Sequence, residues 1–170
     1  PWLVETTTLY FQGRWVRLEF IRKTCPDSAL PGVNHARIRE VDTWEILCTC
    51  MQGFELHHAF VYRDVFYVFA TDYWGIYMSR SFDLAWWSEP RLVLDNDRST
   101  FIHHQNNAVC RDADRFVMAV DLLGGPYDFT VCFAQSHDLQ RWRYIPGAVY
   151  RPHLYTSCPK LHYVDGWYHL

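Results

Sequence analysis

Long apolar runs are missing from this chain. Stretches such as Val65–Ala70 end after a few residues, far short of the about 20 that a membrane-spanning helix needs. Charge of one sign is missing too. Sixteen Lys and Arg against 19 Asp and Glu leave a formal net charge of −3, spread along the chain, so neither a nucleic-acid nor a membrane partner is expected. There is no Gly-rich phosphate loop, no H-E-x-x-H and no G-x-S-x-G, which removes the nucleotide-binding, zinc-protease and α/β-hydrolase readings. Ser157 beside Cys158 has no identifiable base and orienting group, so it is not read as a nucleophile. The six cysteines contain no C-x-x-C pair. Cys48 and Cys50 fall on the same face of a strand, unlike a zinc knuckle. The cysteines are read as mostly buried free thiols, which behave as small hydrophobes and favour a reducing compartment. Residues Pro1–Glu5 show no basic segment followed by an apolar one, so no signal peptide is read there, and the compartment stays open.

Aromatic residues are abundant: 8 Trp, 11 Tyr and 11 Phe. Such rings favour strands and offer flat apolar faces to sugar rings, although most are expected in core and cross-strand packing.

The chain repeats itself. Four segments share an apolar strand, a short polar turn and an aromatic-rich return strand. They begin at Leu9, Val61, Val109 and Leu161, spaced by 52, 48 and 52 residues, and each reads as a β-hairpin. A second motif, S-x-D-L-x-x-W, occurs in register with the first, at Ser81–Trp87 and again 55 residues later at Ser136–Trp142. Ser and Asp are suited to bonding nearby backbone N–H groups. The Leu then plugs inward, and the Trp opens the next strand and locks the corner. Third strands are expected at Gly75–Ser79 and Phe129–Ala134, and fourth strands at Pro90–Leu94 and Trp142–Val149. Val41–Met51 suits the outer strands of the first unit better than a helix.

Units of about fifty residues with four antiparallel strands are propeller blades. The predicted fold is an all-β propeller, with residues 1–170 forming one domain of three blades and the opening of a fourth. Open blades leave strand edges unprotected, so the ring is expected to continue in a longer protein. A two-sheet sandwich also uses short strands and turns, but it does not predict the repeated motif.

Together, S-x-D-L-x-x-W, the hairpin Asp165-Gly166-Trp167-Tyr168 and the tripeptide Ser157-Cys158-Pro159 just before it resemble the five-bladed propeller glycosidases of glycoside hydrolase families 43 and 32. The resemblance runs from about Leu9 to Leu170. It implies an active site at one end of the central axis, a carbohydrate substrate, and carboxylates placed just before the first strands of blades one, three and four. Glycosidic chemistry uses such a pair, one group protonating the leaving oxygen while the other activates water or attacks. This sequence departs from the pattern at those positions, which read Thr6 with Glu5 beside it, Asn106 followed by Asn107, and Ser157.

Strand ends supply a second set of acids. Glu19, Asp72 and Asp121 lie four, five and five residues after Trp15, Tyr67 and Phe116, where the second strand of each blade returns to the rim. Asp121 opens the Gly-rich stretch 121–128, and rim loops carry function more often than the strands beneath them. Glu5, Glu19 and Asp121 are the expected catalytic groups, with Glu55 a further acid to consider. His58, Asp72, Trp74, Asn106, Asn107 and Ser157 are expected to bind substrate. No cofactor is implied. The pairs His57-His58 and His103-His104 leave a divalent metal at the axis, held by His58 and His104, as an alternative to hydrogen-bonded histidines lining a polar funnel. Three functions remain open: a glycosidase, a propeller that binds carbohydrate without chemistry, and a protein-interaction propeller.

Overall fold

The computed structural model describes residues 3–96, 103–124, 129–150 and 155–170, with side chains from residue 6 onward. Among the described residues there are fourteen strands and no helix, hence no helix long and apolar enough to cross a membrane. The first sheet comprises β1 (Leu3–Phe11), β2 (Arg14–Ile21), β3 (His35–Glu40) and β4 (Ile46–Cys50). The second comprises β5 (Glu55–Tyr62), β6 (Val65–Thr71), β7 (Gly75–Ser81) and β8 (Arg91–Asp95). The third comprises β9 (His103–Arg111), β10 (Phe116–Leu123), β11 (Thr130–Ser136) and β12 (Arg143–Tyr150). The hairpin of β13 (His162–Val164) and β14 (Trp167–His169) follows. In every sheet the strand order follows the chain order, the meander that the repeat predicts.

The chain divides into two compact units, one of Pro1–Ala70 with Met78–Arg91, the other of Thr71–Tyr77 with Leu92–Leu170. In the first unit, β2 and β3 alternate. Val16, Leu18 and Phe20 are buried with Ala36 and Ile38, while Trp15, Arg17 and Arg39 lie on the opposite, more open face. Phe11 meets Phe66 edge-on at 5.3 Å between centroids, and Phe66 meets Trp87 in the same way at 6.1 Å. In the second unit, Ala108, Cys110, Val117, Ala119, Val131 and Leu161 form one apolar cluster, and Tyr163 of β13 packs on it. β6 and almost all of β10 are buried, which explains why β6 is apolar up to Thr71 and β10 apolar apart from Asp121.

Backbone chemistry fixes the turns. Three hairpins close with two residues that both have positive φ: Gln12 and Gly13, Arg63 and Asp64, Asp165 and Gly166. This is the pattern of the type I′ turn, whose twist matches that of the flanking strands. The third hairpin uses a longer loop, in which Asp112 Oδ1 accepts from the N–H groups of Asp114 and Arg115, both at 2.8 Å. Gly75 is required by close packing, since a Cβ there would lie 2.2 Å from the Leu94 carbonyl oxygen.

Both copies of S-x-D-L-x-x-W build the same corner. Ser81 Oγ accepts from the N–H groups of Asp83 and Leu84, and Ser136 Oγ accepts from those of Asp138 and Leu139. Asp83 and Asp138 each cap two further N–H groups at 2.8–2.9 Å. Leu84 and Leu139 adopt φ of 66° and 63° and are buried, and the indole N–H of Trp87 or Trp142 donates to the leucine carbonyl. The leucines plug inward as predicted. The tryptophans close the corner from outside the strands, since β8 begins only at Arg91 and β12 at Arg143. Trp86, next to Trp87, is exposed.

Two expectations shift. Within Val41–Met51 only Ile46–Cys50 is strand, and the preceding strand lies earlier, at His35–Glu40. A turn separates them: Thr43 Oγ1 donates to Glu40, Glu45 N–H donates to Thr43 Oγ1, and Trp44 has a φ of 63°. Of the free cysteines only Cys50 and Cys110 are buried. Cys25, Cys48 and Cys132 are half-buried and Cys158 is exposed.

Candidate active site

In the second unit, Asp121 is the sole charged residue of β10 and is completely buried. Beside it the β9–β10 register slips: Val120 pairs with Asn107, but Leu122 pairs with His104, leaving an extra residue in β9. Such a bulge re-aims side chains. Here the Asn106 amide donates to Asp121 Oδ2 at 3.3 Å. Ser157 Oγ donates to the same oxygen at 2.5 Å, and Cys158 N–H does so at 3.4 Å. The segment bearing them is anchored by Thr156, whose N–H and hydroxyl both donate to the Phe129 carbonyl. Asp121 Oδ1 has no partner among the described residues. Burial pushes the Asp121 carboxyl above the usual carboxylate range, against the opposing pull of Ser157, Asn106 and the Cys158 N–H. Three sequence-predicted residues, Asn106, Asp121 and Ser157, are thus brought together.

The other predicted residues of this unit do different work. Asp72 Oδ1 caps the N–H groups of Trp74 (2.6 Å) and Gly75 (3.1 Å), so it shapes the loop. Asn96 braces the same loop through the carbonyls of Tyr73 and Trp74. The exposed rings of Tyr73 and Trp74 then meet at right angles, 5.3 Å apart. Asn107 is buried in the ladder opposite Val120. His104 is buried against the Tyr144 hydroxyl, and burial pushes its pKa down to about 4. Of the Gly-rich stretch 121–128, residues 125–128 lie outside the described residues.

In the first unit, Glu19 occupies the place in its blade that Asp121 occupies in the third. It pairs with Thr6 beside a register shift between Val4 and Thr6. It is fully buried, but its surroundings are cationic. Arg17 and Arg39 both bond it, and Arg37 Nε donates to Oε2 at 2.7 Å. Burial alone would raise its pKa, but the hydrogen bonds and charges of Arg17 and Arg37 hold the carboxyl below its usual value. Glu5 lies in β1, and its side chain lies outside the described residues. Glu55 accepts from the Asn34 amide at 2.7 Å in an exposed position. His58 Nδ1 lies 3.5 Å from Thr7 Oγ1, and His57 approaches the Met51 carbonyl at 3.3 Å. Both histidines are buried. Among the described residues no three His, Cys, Asp or Glu side chains gather to hold a metal ion.

Sequence reasoning missed Arg37 and Arg39. Their alternation in His35-Ala36-Arg37-Ile38-Arg39-Glu40 was a usable signal, because it places both guanidinium groups on one face of β3. It missed Asn96 and Tyr144 as well, whose roles depend on packing that no local pattern reveals.

No family profile and no curated protein sequence matches the chain. Solved structures do. The chain is similar to the Bombyx mori GH32 β-fructofuranosidase BmSUC1 with a TM-score of 0.72 and 15% identity, covering 98% of this chain and 40% of that one. It matches a mutant of the same enzyme in complex with sucrose with a TM-score of 0.69 and 15% identity, again covering 98% of this chain and 40% of that one. A bifunctional GH43-CE protein of Bacteroides eggerthii gives a TM-score of 0.63 at 12% identity, covering 98% of this chain and 25% of that one. These likenesses show the fold: an all-β propeller of four-stranded antiparallel blades. The chain spans 40% and 25% of the lengths of these proteins.

Proposed function

We propose that the chain recognises carbohydrate and acts on a glycosidic bond as part of a glycoside-hydrolase-like propeller, with Asp121 as the proton-holding carboxyl group. The observation that carries this reading is the cluster of Asp121, Asn106 and Ser157. Asn106 and Ser157 stand where the resemblance puts two carboxylates, and both donate to one buried acid. A general acid must hold its proton at working pH, and burial favours the neutral form of Asp121. Asp121 is enclosed while Ser157 is half-buried, so the proton reaches a sugar oxygen through Ser157 Oγ. For the transfer the Ser157 hydroxyl turns its hydrogen from Oδ2 to the leaving oxygen; as that hydrogen is released, Oγ takes the proton carried on Asp121 Oδ2, and Asp121 ends ionised until water restores it. The chemistry also needs a second carboxylate, and this cluster contains none besides Asp121. Both oxygens of Glu19 are committed to arginines, so Glu19 takes no nucleophilic role in this reading. The Asn106 amide and the exposed Trp74 ring are assigned to sugar hydroxyls and a sugar face.

The test is turnover and binding of sucrose, oligosaccharides and aryl glycosides by the full chain. Turnover is expected to fall at least about 100-fold in Asp121→Asn and Ser157→Ala while binding persists. The polar, uncharged Thr6, Asn106 and Ser157 favour a second reading, recognition without chemistry, which saturable binding with no product in the parent chain would select. If the chain neither binds nor turns over any of these sugars, both readings fail.

A further inference from the structure

β2 and β3 collect three arginines on one face of the first sheet. Arg17 is the direct cross-strand partner of Arg39, and Glu19 that of Arg37. Like charges directly opposite destabilise an antiparallel pair, and among these four residues one carboxylate answers three guanidinium groups. Glu19 Oε1 accepts from Arg17 Nε at 3.0 Å and from Arg17 Nη2. Oε2 accepts from Arg37 Nε at 2.7 Å and Arg39 Nε at 3.2 Å, and Arg37 Nη2 pairs with it at 2.6 Å. Arg39 Nη1 donates to the Trp44 carbonyl at 2.7 Å. One terminal nitrogen of each arginine (Nη1 of Arg17, Nη1 of Arg37, Nη2 of Arg39) has no partner among the described residues. These are not freely solvated charges, for Arg37 is only 9% exposed.

The surroundings shape this cation excess. The Trp44 ring lies against the Arg17 guanidinium, 4.6 Å from Cζ to centroid, which covers its face and leaves its donor-bearing edge. Trp44 holds that place at a φ of 63°, a conformation bulky side chains rarely adopt, secured by its N–H to the Glu40 carbonyl and by Arg39. Beside it is a cavity of about 20 Å³ lined by Arg17, Arg39, Glu40, Val41 and Trp44, room for one water-sized group. The Glu40 carboxylate on this rim already accepts the Thr43 hydroxyl at 2.6 Å and lies 3.9 Å from Arg14.

We propose that Arg17 and Arg39, with Trp44, form a binding site for a small oxyanion: a phosphate, sulfate or carboxylate group that seats one oxygen in the cavity, with Arg37 adding positive charge on the same face of β3. The terminal nitrogens that remain can each give an oxyanion oxygen a directional, charge-assisted hydrogen bond, which a spherical halide uses less well. The site belongs to the first unit and does not depend on the carbohydrate reading.

The full chain is titrated with inorganic phosphate, sulfate and glucuronate, with chloride at matched ionic strength and glucose as controls, reading calorimetry and the thermal midpoint. Saturable binding with a rise in midpoint that chloride does not reproduce is expected. A response to phosphate or sulfate alone assigns the site to free oxyanions, and one to glucuronate but not glucose assigns it to a sugar acid; either sustains it. Arg39→Lys keeps the charge but has a single nitrogen, which cannot bond Glu19, the Trp44 carbonyl and the ligand in the Arg39 geometry, and is expected to weaken binding at least about tenfold. Arg17→Met is expected to abolish it. Equal responses to chloride and to the oxyanions, or undiminished oxyanion binding in Arg39→Lys, would overturn the proposal. Should Arg17→Met fail to fold, Arg39→Lys decides alone.

Discussion

Glu19 and Asp121 occupy the same place in two blades and are treated in opposite ways. Arginines keep Glu19 ionised, whereas burial against an amide and a hydroxyl favours the neutral form of Asp121. The stability consequences run in opposite directions. The contribution of Glu19 is present above its unfolded pKa and is lost as pH falls through its lowered folded value. That of Asp121 is present at low pH and is lost as pH rises through its raised folded value. At neutral pH, Asp121→Asn is therefore expected to leave the thermal midpoint unchanged or higher while removing activity, since the amide oxygen still accepts from Ser157. A second pH effect belongs to His57, whose pKa burial lowers from 6.5 to about 3. It stays neutral in the fold, so its stabilising contribution is lost as pH falls from 6.5 towards 3, and His57→Gln is expected to flatten that part of the midpoint profile. At this scale the sequence offered Asn106 and Ser157 as the residues standing where the resemblance puts carboxylates, and Asp121 as a strand-end acid. It concealed that they meet, because the Ser157–Asp121 bond joins residues 36 positions apart.

Among elements, the corners and hairpins were legible because their chemistry is local. Ser, Asp, Leu and Trp at fixed spacing make their bonds within seven residues, and two-residue loops fix the strand register. Ser81→Ala and Ser136→Ala each strip two N–H groups of their acceptor and are expected to cost about 1–3 kcal/mol, measurable by denaturant unfolding. Leu139→Ala, which empties a buried plug, is expected to cost about 2–5 kcal/mol. Gly75→Ala forces a Cβ onto the Leu94 carbonyl and is expected to destabilise by about 1–3 kcal/mol, a cost set by overpacking. The strands of the first sheet were less legible. That blade lacks the S-x-D-L-x-x-W signature, and its turn at Val41–Glu45 relies on a left-handed tryptophan, which no propensity anticipates.

For the whole molecule, burial sets where the structure opens last. β6 and β10 are the most completely buried strands, and β14 is exposed along its length. Amide hydrogen exchange is expected to be slowest in β6 and β10 and fastest in β14, with equal rates in all three contradicting the core assignment. The propeller class was readable from period alone, whereas the division into two compact units depends on contacts between strands far apart in the chain. The duplicated corner carries one more implication, for descent. The bonds made by its Ser, Asp and Trp side chains close inside its own seven residues, so a copied blade brings most of its own fastening. Duplication of a whole blade would carry this fastening with it, and Ser81–Trp87 and Ser136–Trp142 are two copies of one such device.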